Sequence, residues 1–452
     1  MNPNRDDFWF LPLGGCGEIG MNMNLYGHDD QWIMVDCGVT FRDPDGTNNS
    51  GFSVQMADPA FISDRRDQLQ GLLLTHAHED HIGAVPHLWP QLQCPVFANT
   101  FTAEMLRRKL VEFGLEQEVP IHIIEAGTRH SIGVFDVEWV AHTHSIPDPC
   151  GLVIRTAGGT AFHTADWKLD DDPLVGHGYA QQRYEDLGDE TIDVLVCDST
   201  CADVDGSAES EGQLYKGLLE LVENAPGRVV VGCFGSNIAR LSTLAYVAED
   251  TGRHLGLLGR SLINTVSVAR TVGLWQHRAS VDAHHLGYLP RESVLLVATG
   301  SQAENRAALN RLSHDNLHAM ALEPEDTIIF SARAIPGNEQ AIENMVQRFK
   351  TMGVHVVRPE DSVRPIHASG HPGRDDLAKL YGWVKPEVLI PVHGEDAHLD
   401  AQCELAKSSG IKRQLNGRNG DLFLIAPNKA IRRNSVSVNR LGVGKKSLEV
   451  IS

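Results

Sequence analysis

The sequence predicts an α/β protein with a strand-rich first part and a second part of alternating strands and helices. Short apolar runs separated by glycine turns occupy about the first 200 residues. After about residue 210, apolar runs alternate with stretches of helical spacing, which is typical of βαβ units around a parallel sheet. One early apolar run ends in a dense group of histidines, and this group is the clearest functional signal in the chain.

Within the first part, strands are predicted at 8–13, 32–35 and 72–75, and a helix at 101–113. The alternation at 134–140 predicts a half-exposed strand. Further strands are predicted at 152–154, 161–164 and 194–197.

The second part repeats a strand, a turn of small polar residues and a helix. Strands are predicted at 228–234, 254–258, 293–299, 326–330 and 354–357, and helices are expected to open after 235–237, 259–261, 300–302 and 336–338. The tail after Asn419 predicts one short strand, 422–425, followed by polar residues.

Composition and charge exclude several classes of protein. Hydrophobic residues make up 42% of the 452 residues and charged residues 22%, which argues against a disordered or fibrous chain. The formal net charge of −20 excludes a globally basic nucleic-acid binder but not a local basic groove. No apolar run reaches the roughly 20 residues of a membrane span, and the start lacks a secretory signal. We expect a cytoplasmic protein with no membrane partner and eight reduced cysteines.

The histidine group is the segment 76–81, His-Ala-His-Glu-Asp-His. Three imidazoles and a carboxylate at this spacing suit a borderline metal such as Zn²⁺. His76 and His78 can reach one ion while Asp80 and His81 reach a second. The alternative is a solvated polar loop. It is improbable, because chance alone would rarely place this pattern directly after an apolar strand.

This segment resembles the signature of the metallo-β-lactamase fold, an αββα sandwich with a metal site at one edge. The resemblance implies a further ligand His after a later strand, matched by His144, and an Asp after the next strand, matched by Asp166. A carboxylate there suits a bridge between two cations. For the last ligand we favour His393, which ends an apolar run, over His177, which follows no strand.

The long interval from Asp166 to His393 leaves room for a whole inserted domain, as in the β-CASP nucleases, which act on RNA or DNA. Their added motifs match Asp198 in Cys-Asp-Ser-Thr, His371 in Ser-Gly-His, and His393. The chain further resembles the bacterial ribonuclease J family through the segments 13–22, 144–148, 235–238, 298–302, 335–339, 365–371 and 391–395.

The resemblance implies three parts: 1–210 as the first part of the metallo-β-lactamase domain, 211–365 as an inserted β-CASP domain on a parallel α/β sheet, and 366–452 as the closing part and tail. It also implies a short form without the usual further C-terminal domain, which leaves a homodimer possible. Two positions depart from the pattern. Met21 stands where a basic residue is common, and Ala165 replaces the usual Gly before Asp166.

The same resemblance implies hydrolysis of RNA phosphodiester bonds with two divalent ions, Zn²⁺ in the first place and Mn²⁺ or Mg²⁺ otherwise. Asp80, Asp198 and His371 are the expected catalytic group: Asp198 would hydrogen-bond a ligand imidazole, and His371 would act on the scissile phosphate or the leaving oxygen. The expected metal ligands are His76, His78, His144 and Asp166 for one ion, and Asp80, His81, Asp166 and His393 for the other.

Two loops are expected to hold the RNA backbone and a 5′ monophosphate of single-stranded RNA. They are Gly235-Ser236-Asn237 and His367-Ala368-Ser369-Gly370-His371; capping and turn chemistry is the alternative for the first loop. A local basic cleft is predicted from Arg240, Arg260, Arg306, Arg333 and Arg364.

The predicted activity is 5′-to-3′ exonuclease, endonuclease, or both, in RNA processing and decay. Two other functions stay open from the sequence: hydrolysis of a small-molecule ester or thioester on the same fold, and RNA binding without catalysis.

Overall fold

The computed structural model describes residues 1–41, 51–317, 320–335, 337–445 and 447–451. Pro336, within one of the segments that carry the family resemblance, lies outside these residues. The strands in the described residues are, in chain order, β1 (Phe8–Gly14), β2 (Met23–His28), β3 (Gln31–Val35), β4 (Val39–Thr40), β5 (Gln55–Ala57), β6 (Leu69–Leu73), β7 (Val96–Ala98), β8 (Ile121–Ile123), β9 (Arg129–Ile132), β10 (Phe135–Ala141), β11 (Cys150–Thr156), β12 (Gly159–His163), β13 (Val194–Asp198), β14 (Val229–Gly232), β15 (His254–Leu258), β16 (Val294–Ala298), β17 (Thr327–Phe330), β18 (His355–Val357), β19 (Val388–Val392), β20 (Arg413–Gln414), β21 (Leu422–Ala426), β22 (Ala430–Arg432), β23 (Arg440–Val443) and β24 (Leu448–Ile451).

The helices in the same residues are α1 (Ala60–Ser63), α2 (Glu79–Ile82), α3 (Val85–Leu92), α4 (Thr100–Phe113), α5 (Gln181–Leu187), α6 (Leu214–Glu223), α7 (Ile238–Asp250), α8 (Arg260–Thr271), α9 (Ala283–Leu286), α10 (Ala308–Ser313), α11 (Glu339–Thr351), α12 (Arg374–Val384) and α13 (Asp396–Ser408). No helix in the described part of the chain is long and apolar enough to cross a membrane.

Two large sheets form the body of the molecule. One has the order β22-β21-β1-β2-β3-β6-β7-β8, and the other has the order β20-β19-β13-β12-β11-β10-β9. Their facing sides share one apolar core, to which β1 sends Phe8 and Phe10 and β10 sends Val137 and Trp139. The intervening residues of β1 are buried on the opposite face, against a second core. Because β1 is covered on both sides, it reads as a continuous apolar run.

Helices cover the outer faces of both sheets. Side chains of α3 and α4 pack in the core outside the first sheet. Those of α5, α12 and α13 pack with buried residues of β11, β12, β13 and β19 outside the second. This arrangement confirms the predicted αββα sandwich.

The remaining large unit is a parallel five-stranded sheet of order β15-β16-β14-β17-β18. Its strands run from Val229 to Val357, inside the predicted insertion 211–365; the exact boundaries stay a prediction. The order places the first strand, β14, between β16 and β17. The loops that leave the carboxyl ends of these three strands therefore lie side by side, where doubly wound sheets bind ligands.

A buried ionic network joins the insertion to the sandwich. The Glu211 carboxylate, on the segment entering the insertion, accepts hydrogen bonds from Asn237 Nδ2 at 2.9 Å and from Arg240 Nε at 2.9 Å. The Arg240 guanidinium also donates to the backbone oxygen of Ser331 at 2.8 Å. On the sandwich side, Asp170 accepts from the Glu211 amide at 3.0 Å. All these charged groups are buried and paired, so the loop that opens α7 is held against the sandwich.

Two expectations about elements are wrong, and one holds only in part. The strand at 134–140 keeps the Asp136 side chain 37% exposed, but Glu138 is covered and ion-paired with Arg155 and Arg183. The helix expected after 300–302 begins only at Ala308. The tail contains three strands beyond β21 in the described residues. One of them, β23, pairs with β5 in a separate small sheet. The two strands lie about 380 residues apart in sequence, so a local pattern does not reveal their pairing.

Candidate metal centre

The predicted ligands converge at one edge of the sandwich because each follows the end of a strand. His76 and His78 follow β6, and His144 follows β10. Asp166 follows β12, and His393 follows β19. Asp80 and His81 lie on the short helix α2 directly after the first pair. His177 is exposed and belongs to none of the described groups that could hold a metal ion.

The first group brings His76, His78, His144 and Asp166 around one point. His78 Nδ1 lies 3.1 Å from both His76 Nε2 and His144 Nε2. An Asp166 oxygen lies 3.8 Å from His76 Nε2 and 3.7 Å from His144 Nε2. Ligands of a tetrahedral Zn²⁺ at about 2.0–2.1 Å are about 3.3 Å apart, so the spacing fits such an ion.

The second group contains Asp80, His81, Asp166 and His393. His81 Nε2 lies 3.3 Å from Asp166 Oδ2 and 3.5 Å from Asp80 Oδ2, and His393 Nε2 lies 3.1 Å from Asp80 Oδ2. Asp166 Oδ1 is buried and accepts no hydrogen bond in the described residues, although His393 Nδ1 is 3.0 Å away. Asp166 thus places Oδ2 near the ligands of both groups and leaves the buried Oδ1 without a donor, which fits a carboxylate that binds cations.

The charge state of the first group favours metal binding. Burial lowers the pKa of His76 and His144 well below the usual value, and that of His78 to about 4. All three imidazoles are therefore neutral at pH 7, and each offers a lone pair to a cation. Facing ring nitrogens 3.1 Å apart repel each other when both are unprotonated, and a cation between them would remove that repulsion.

In the second group, attraction between carboxylates and imidazoles favours the charged form of both. Burial opposes a charged imidazole, but Asp166 raises the pKa of both His81 and His393 above the usual value. These imidazoles in turn lower the pKa of Asp80 and Asp166 against the effect of burial. Cation binding at this group therefore displaces protons from His81 and His393.

Sequence reasoning missed Asp36. It follows β3, whose parallel register with β6 pairs Val35 with Leu73 and so brings Asp36 beside Thr75. The buried Asp36 carboxylate accepts from the Thr75 amide at 2.9 Å and the Thr75 hydroxyl at 2.8 Å, and it lies 2.7 Å from His81 Nδ1. Thr75 Oγ1 lies 3.0 Å from His76 Nδ1. A polar residue directly after the apolar run 32–35 was the available signal.

Asp198 and His371 form a pair next to the second group. Asp198 ends β13 opposite Val392 of β19, and its Oδ2 lies 2.7 Å from His371 Nδ1. Its Oδ1 lies 3.5 Å from His393 Nδ1. Burial alone would lower the pKa of His371, but Asp198 raises it above the usual value. The His371 side chain is 21% exposed.

The loop 235–237 touches one of the predicted metal ligands. Ser236 Oγ lies 3.0 Å from His78 Nε2. Asn237 is the N-cap of α7 and accepts from the Arg240 amide at 2.9 Å, besides donating to Glu211. In the part of the chain that the structure describes, the amides of Gly235 and Ser236 have no acceptor.

The segment 367–371 touches another of the predicted metal ligands. The backbone oxygen of Gly370 lies 2.5 Å from His144 Nδ1. Ser369 Oγ accepts from the His371 amide at 3.1 Å. His367 Nδ1 lies 3.3 Å from the Ser331 oxygen, and Ala368 is buried. Among described atoms, the Ser369 and Gly370 amides donate to no acceptor.

The predicted basic cleft needs one correction. Arg240 is buried and its charge is neutralised by Glu211, so it is not available to a polyanion. Arg364 is exposed and pairs with Glu220 at the surface. Arg260, Arg306 and Arg333 are exposed, and their guanidinium groups have no ion pair among the described residues.

Three family models match the chain in succession. Residues 31–229 match the beta-lactamase superfamily domain, residues 226–349 match the ribonuclease J beta-CASP domain, and residues 355–414 match the Zn-dependent metallo-hydrolase RNA specificity domain.

Relatives extend over nearly the whole chain. The chain is 44% identical to Ribonuclease J of Sinorhizobium meliloti, covering 94% of this chain and 75% of that protein. It is 37% identical to Ribonuclease J of Mycolicibacterium smegmatis, over 88% and 71% of the two chains, and 32% identical to that of Thermus thermophilus, over 99% and 80%. A crystal structure of a protein of unknown function from Enterococcus faecalis V583 shares the fold, with a TM-score of 0.62 and 16% identity over 92% of this chain and 100% of that one.

These similarities favour neither a small-molecule hydrolase nor an RNA binder without catalysis. The metal-binding groups and the RNA specificity domain agree with a nuclease that binds divalent metal. With 44% identity to a Ribonuclease J over 94% of its length, the chain belongs to the ribonuclease J family of metal-dependent enzymes that hydrolyse RNA phosphodiester bonds.

Proposed function

We propose that this ribonuclease binds two divalent ions and removes nucleotides one at a time from the 5′-monophosphorylated end of single-stranded RNA. The observation that carries the proposal is the contact of both predicted phosphate loops with metal ligands: Ser236 with His78, and Gly370 with His144. Backbone amides without an acceptor thus lie in loops that contact the predicted metal ligands.

The four residues of each group would hold one ion, with Asp166 shared between them. Zn²⁺ fits the mixture of imidazole and carboxylate ligands, and Mn²⁺ or Mg²⁺ are the alternatives. When bound, such ions activate water and neutralise charge on the phosphoryl oxygens. Thr75 and Asp36 hold the outer nitrogens of His76 and His81, so these rings are oriented before substrate arrives.

The 5′ phosphate would lie between the two loops. The unpaired amides of Gly235, Ser236, Ser369 and Gly370 can donate to phosphate oxygens without losing an existing hydrogen bond. The Ser236 hydroxyl, which accepts from His78 Nε2, still has its own proton to donate. A pocket at a set distance from the metal ligands would fix which bond is cleaved.

His371 would supply the proton for the leaving ribose oxygen. Asp198 holds Nδ1 of this imidazole and favours its charged form, so Nε2 carries a proton toward the cleft. Asp80 lies on the other side of His393, where we assign it to metal binding.

The test compares three forms of one RNA sequence: 5′ monophosphate, 5′ triphosphate and a covalent circle. The proposal predicts release of mononucleotides from the 5′-monophosphorylated RNA and a much slower reaction on the other two. Ser369→Ala should reduce the reaction on the monophosphorylated end more than internal cleavage of the circle, because the loop holds the terminal phosphate. Ser267→Ala, a change in α8 away from both loops, is the control. Equal losses on all three RNAs would mean that the loop holds the general backbone.

A further inference from the structure

His78 presents a different nitrogen to the centre from that of its neighbours. Its Nδ1 faces His76 and His144, whereas those two residues present Nε2. A neutral imidazole that offers Nδ1 to a cation must carry its proton on Nε2. That Nε2–H needs an acceptor, and in the described residues the Ser236 hydroxyl, 3.0 Å away, is the acceptor within reach.

Ser236 comes from the insertion, 158 residues after His78. His144 is held in a similar way, because its Nδ1–H donates to the Gly370 backbone oxygen on the segment that returns from the insertion. The outer nitrogens of His76 and His81 are held differently, by Thr75 and Asp36 of the sandwich.

The two metal groups therefore differ in what orients them. In the first group, two of three imidazoles are held by segments outside the first part of the sandwich. In the second group, the outer nitrogen of His81 is held by Asp36, and His393 Nδ1 lies 3.1 Å from Thr200 Oγ1. These partners belong to strand ends of the sandwich itself.

We propose that Ser236 is a positioning residue for His78. By accepting from Nε2–H it fixes the tautomer and ring orientation that present Nδ1, and the inserted domain thereby sets the affinity of the group His76, His78, His144 and Asp166 for its ion. Loss of a hydrogen bond that orients a ligand imidazole typically lowers metal affinity or activity about 10–100-fold. The proposal rests on the two-ion site proposed above and needs no RNA for its test.

Titration of Co²⁺ into the metal-free, full-length protein tests it, with calorimetry for affinity and visible absorption for the ligand environment. Wild type should bind two ions. Ser236→Ala should bind one of them about 10–100-fold more weakly, with a changed absorption spectrum for that ion only. Ser236→Thr keeps the hydroxyl and should restore both readouts. Ser267→Ala should match wild type.

Gly370→Ala provides a second variant at the other contact. A Cβ at position 370 would lie 2.8 Å from both His144 Cε1 and Ser145 Oγ, so the contact between Gly370 and the His144 ring must shift. This variant should weaken the same ion as Ser236→Ala and spare the other.

Wild-type affinity for both ions and an unchanged spectrum in Ser236→Ala would overturn the proposal. A wild-type stoichiometry of one would overturn the two-ion site instead. In that case a Ser236→Ala protein that binds the single ion as tightly as wild type would still overturn the role of Ser236.

Discussion

Two residues at the candidate metal centre lie in the left-handed region of backbone conformation. His393 has φ +53° and Ala165, directly before Asp166, has φ +52°. A side chain in this region costs of order 1 kcal/mol, and a Gly at position 165, as the resemblance led us to expect, would avoid that cost. The strain is tolerated because Asp166 and His393 are fixed by their neighbours on several sides.

The role of His371 is tested by its removal. His371→Ala should retain bound metal and lower the single-turnover cleavage rate by about 10²–10⁴-fold, because the proton donor is lost while the expected ligands remain. Metal content by atomic emission and rapid-quench cleavage of 5′-monophosphorylated RNA measure the two effects. Asp166→Asn is the contrasting variant and should lose both metal and cleavage.

If His371→Ala lost bound metal, His371 would be a metal ligand. It lies in a third group with Asp166, Asp198 and His393, whose ligand atoms could also surround an ion. Loss of metal from His371→Ala would make it a ligand and not the proton donor.

Among the elements, the segment that enters the insertion carries a buried ion pair, Glu211 with Arg240. Burial alone would raise the pKa of Glu211, but Arg240 and Lys168 lower it from 4.5 to about 2. Because the folded state holds this carboxylate ionised, the pair stabilises the fold fully above about pH 4.5. This contribution is lost as the pH falls from about 4.5 toward 2.

Glu211→Gln should therefore destabilise the protein at pH 7 by about 3–5 kcal/mol, since it leaves the buried Arg240 charge without a counter-ion. The difference from wild type should shrink as the pH falls below about 4.5. Urea unfolding curves at pH 7, 5 and 3.5 measure both. Glu249→Gln, at an exposed and distant pair with Arg278, is the control and should change stability little. A loss that is the same at every pH would show that the hydrogen bonds of Glu211, and not its charge, stabilise the segment.

At the scale of the whole molecule, the net charge of −20 would repel a polyanionic substrate such as RNA. Positive side chains near the candidate site can offset this repulsion locally. Arg333 is exposed and its charge acts on His367, in the segment 367–371. Burial is the main cause that lowers the pKa of His367 to about 3, and the positive charges of Arg240 and Arg333 lower it further. Screening over about 8 Å in cells reduces the effect of the distant acidic surface. A cytoplasmic location and a homodimer stay predictions.

Arg333→Ala should weaken binding of single-stranded RNA and make it less dependent on salt. The slope of log affinity against log salt should fall in magnitude by about 0.7, the value for one lost phosphate contact on a single strand. Fluorescence anisotropy with His371→Ala as the inactive background gives the slope between low and high salt. Arg129→Ala is the matched control, because Asp136 already neutralises that guanidinium. An unchanged slope would place Arg333 outside the RNA path.

The sequence by itself predicted the sandwich, a parallel sheet inserted into it, and the residues that converge at one edge of the sandwich; their role as metal ligands stays a prediction. A histidine motif at the end of an apolar strand has a local cause, and so do strands that alternate with helices. Only the tertiary structure decided which groups orient the ligands. Asp36 reaches His81 through the register of β3 with β6, and Ser236 reaches His78 from 158 residues away. Arg240 looked like an available cation until folding buried it against Glu211. Each of these contacts joins residues far apart in the chain, so it depends on packing and leaves no periodic pattern in the sequence.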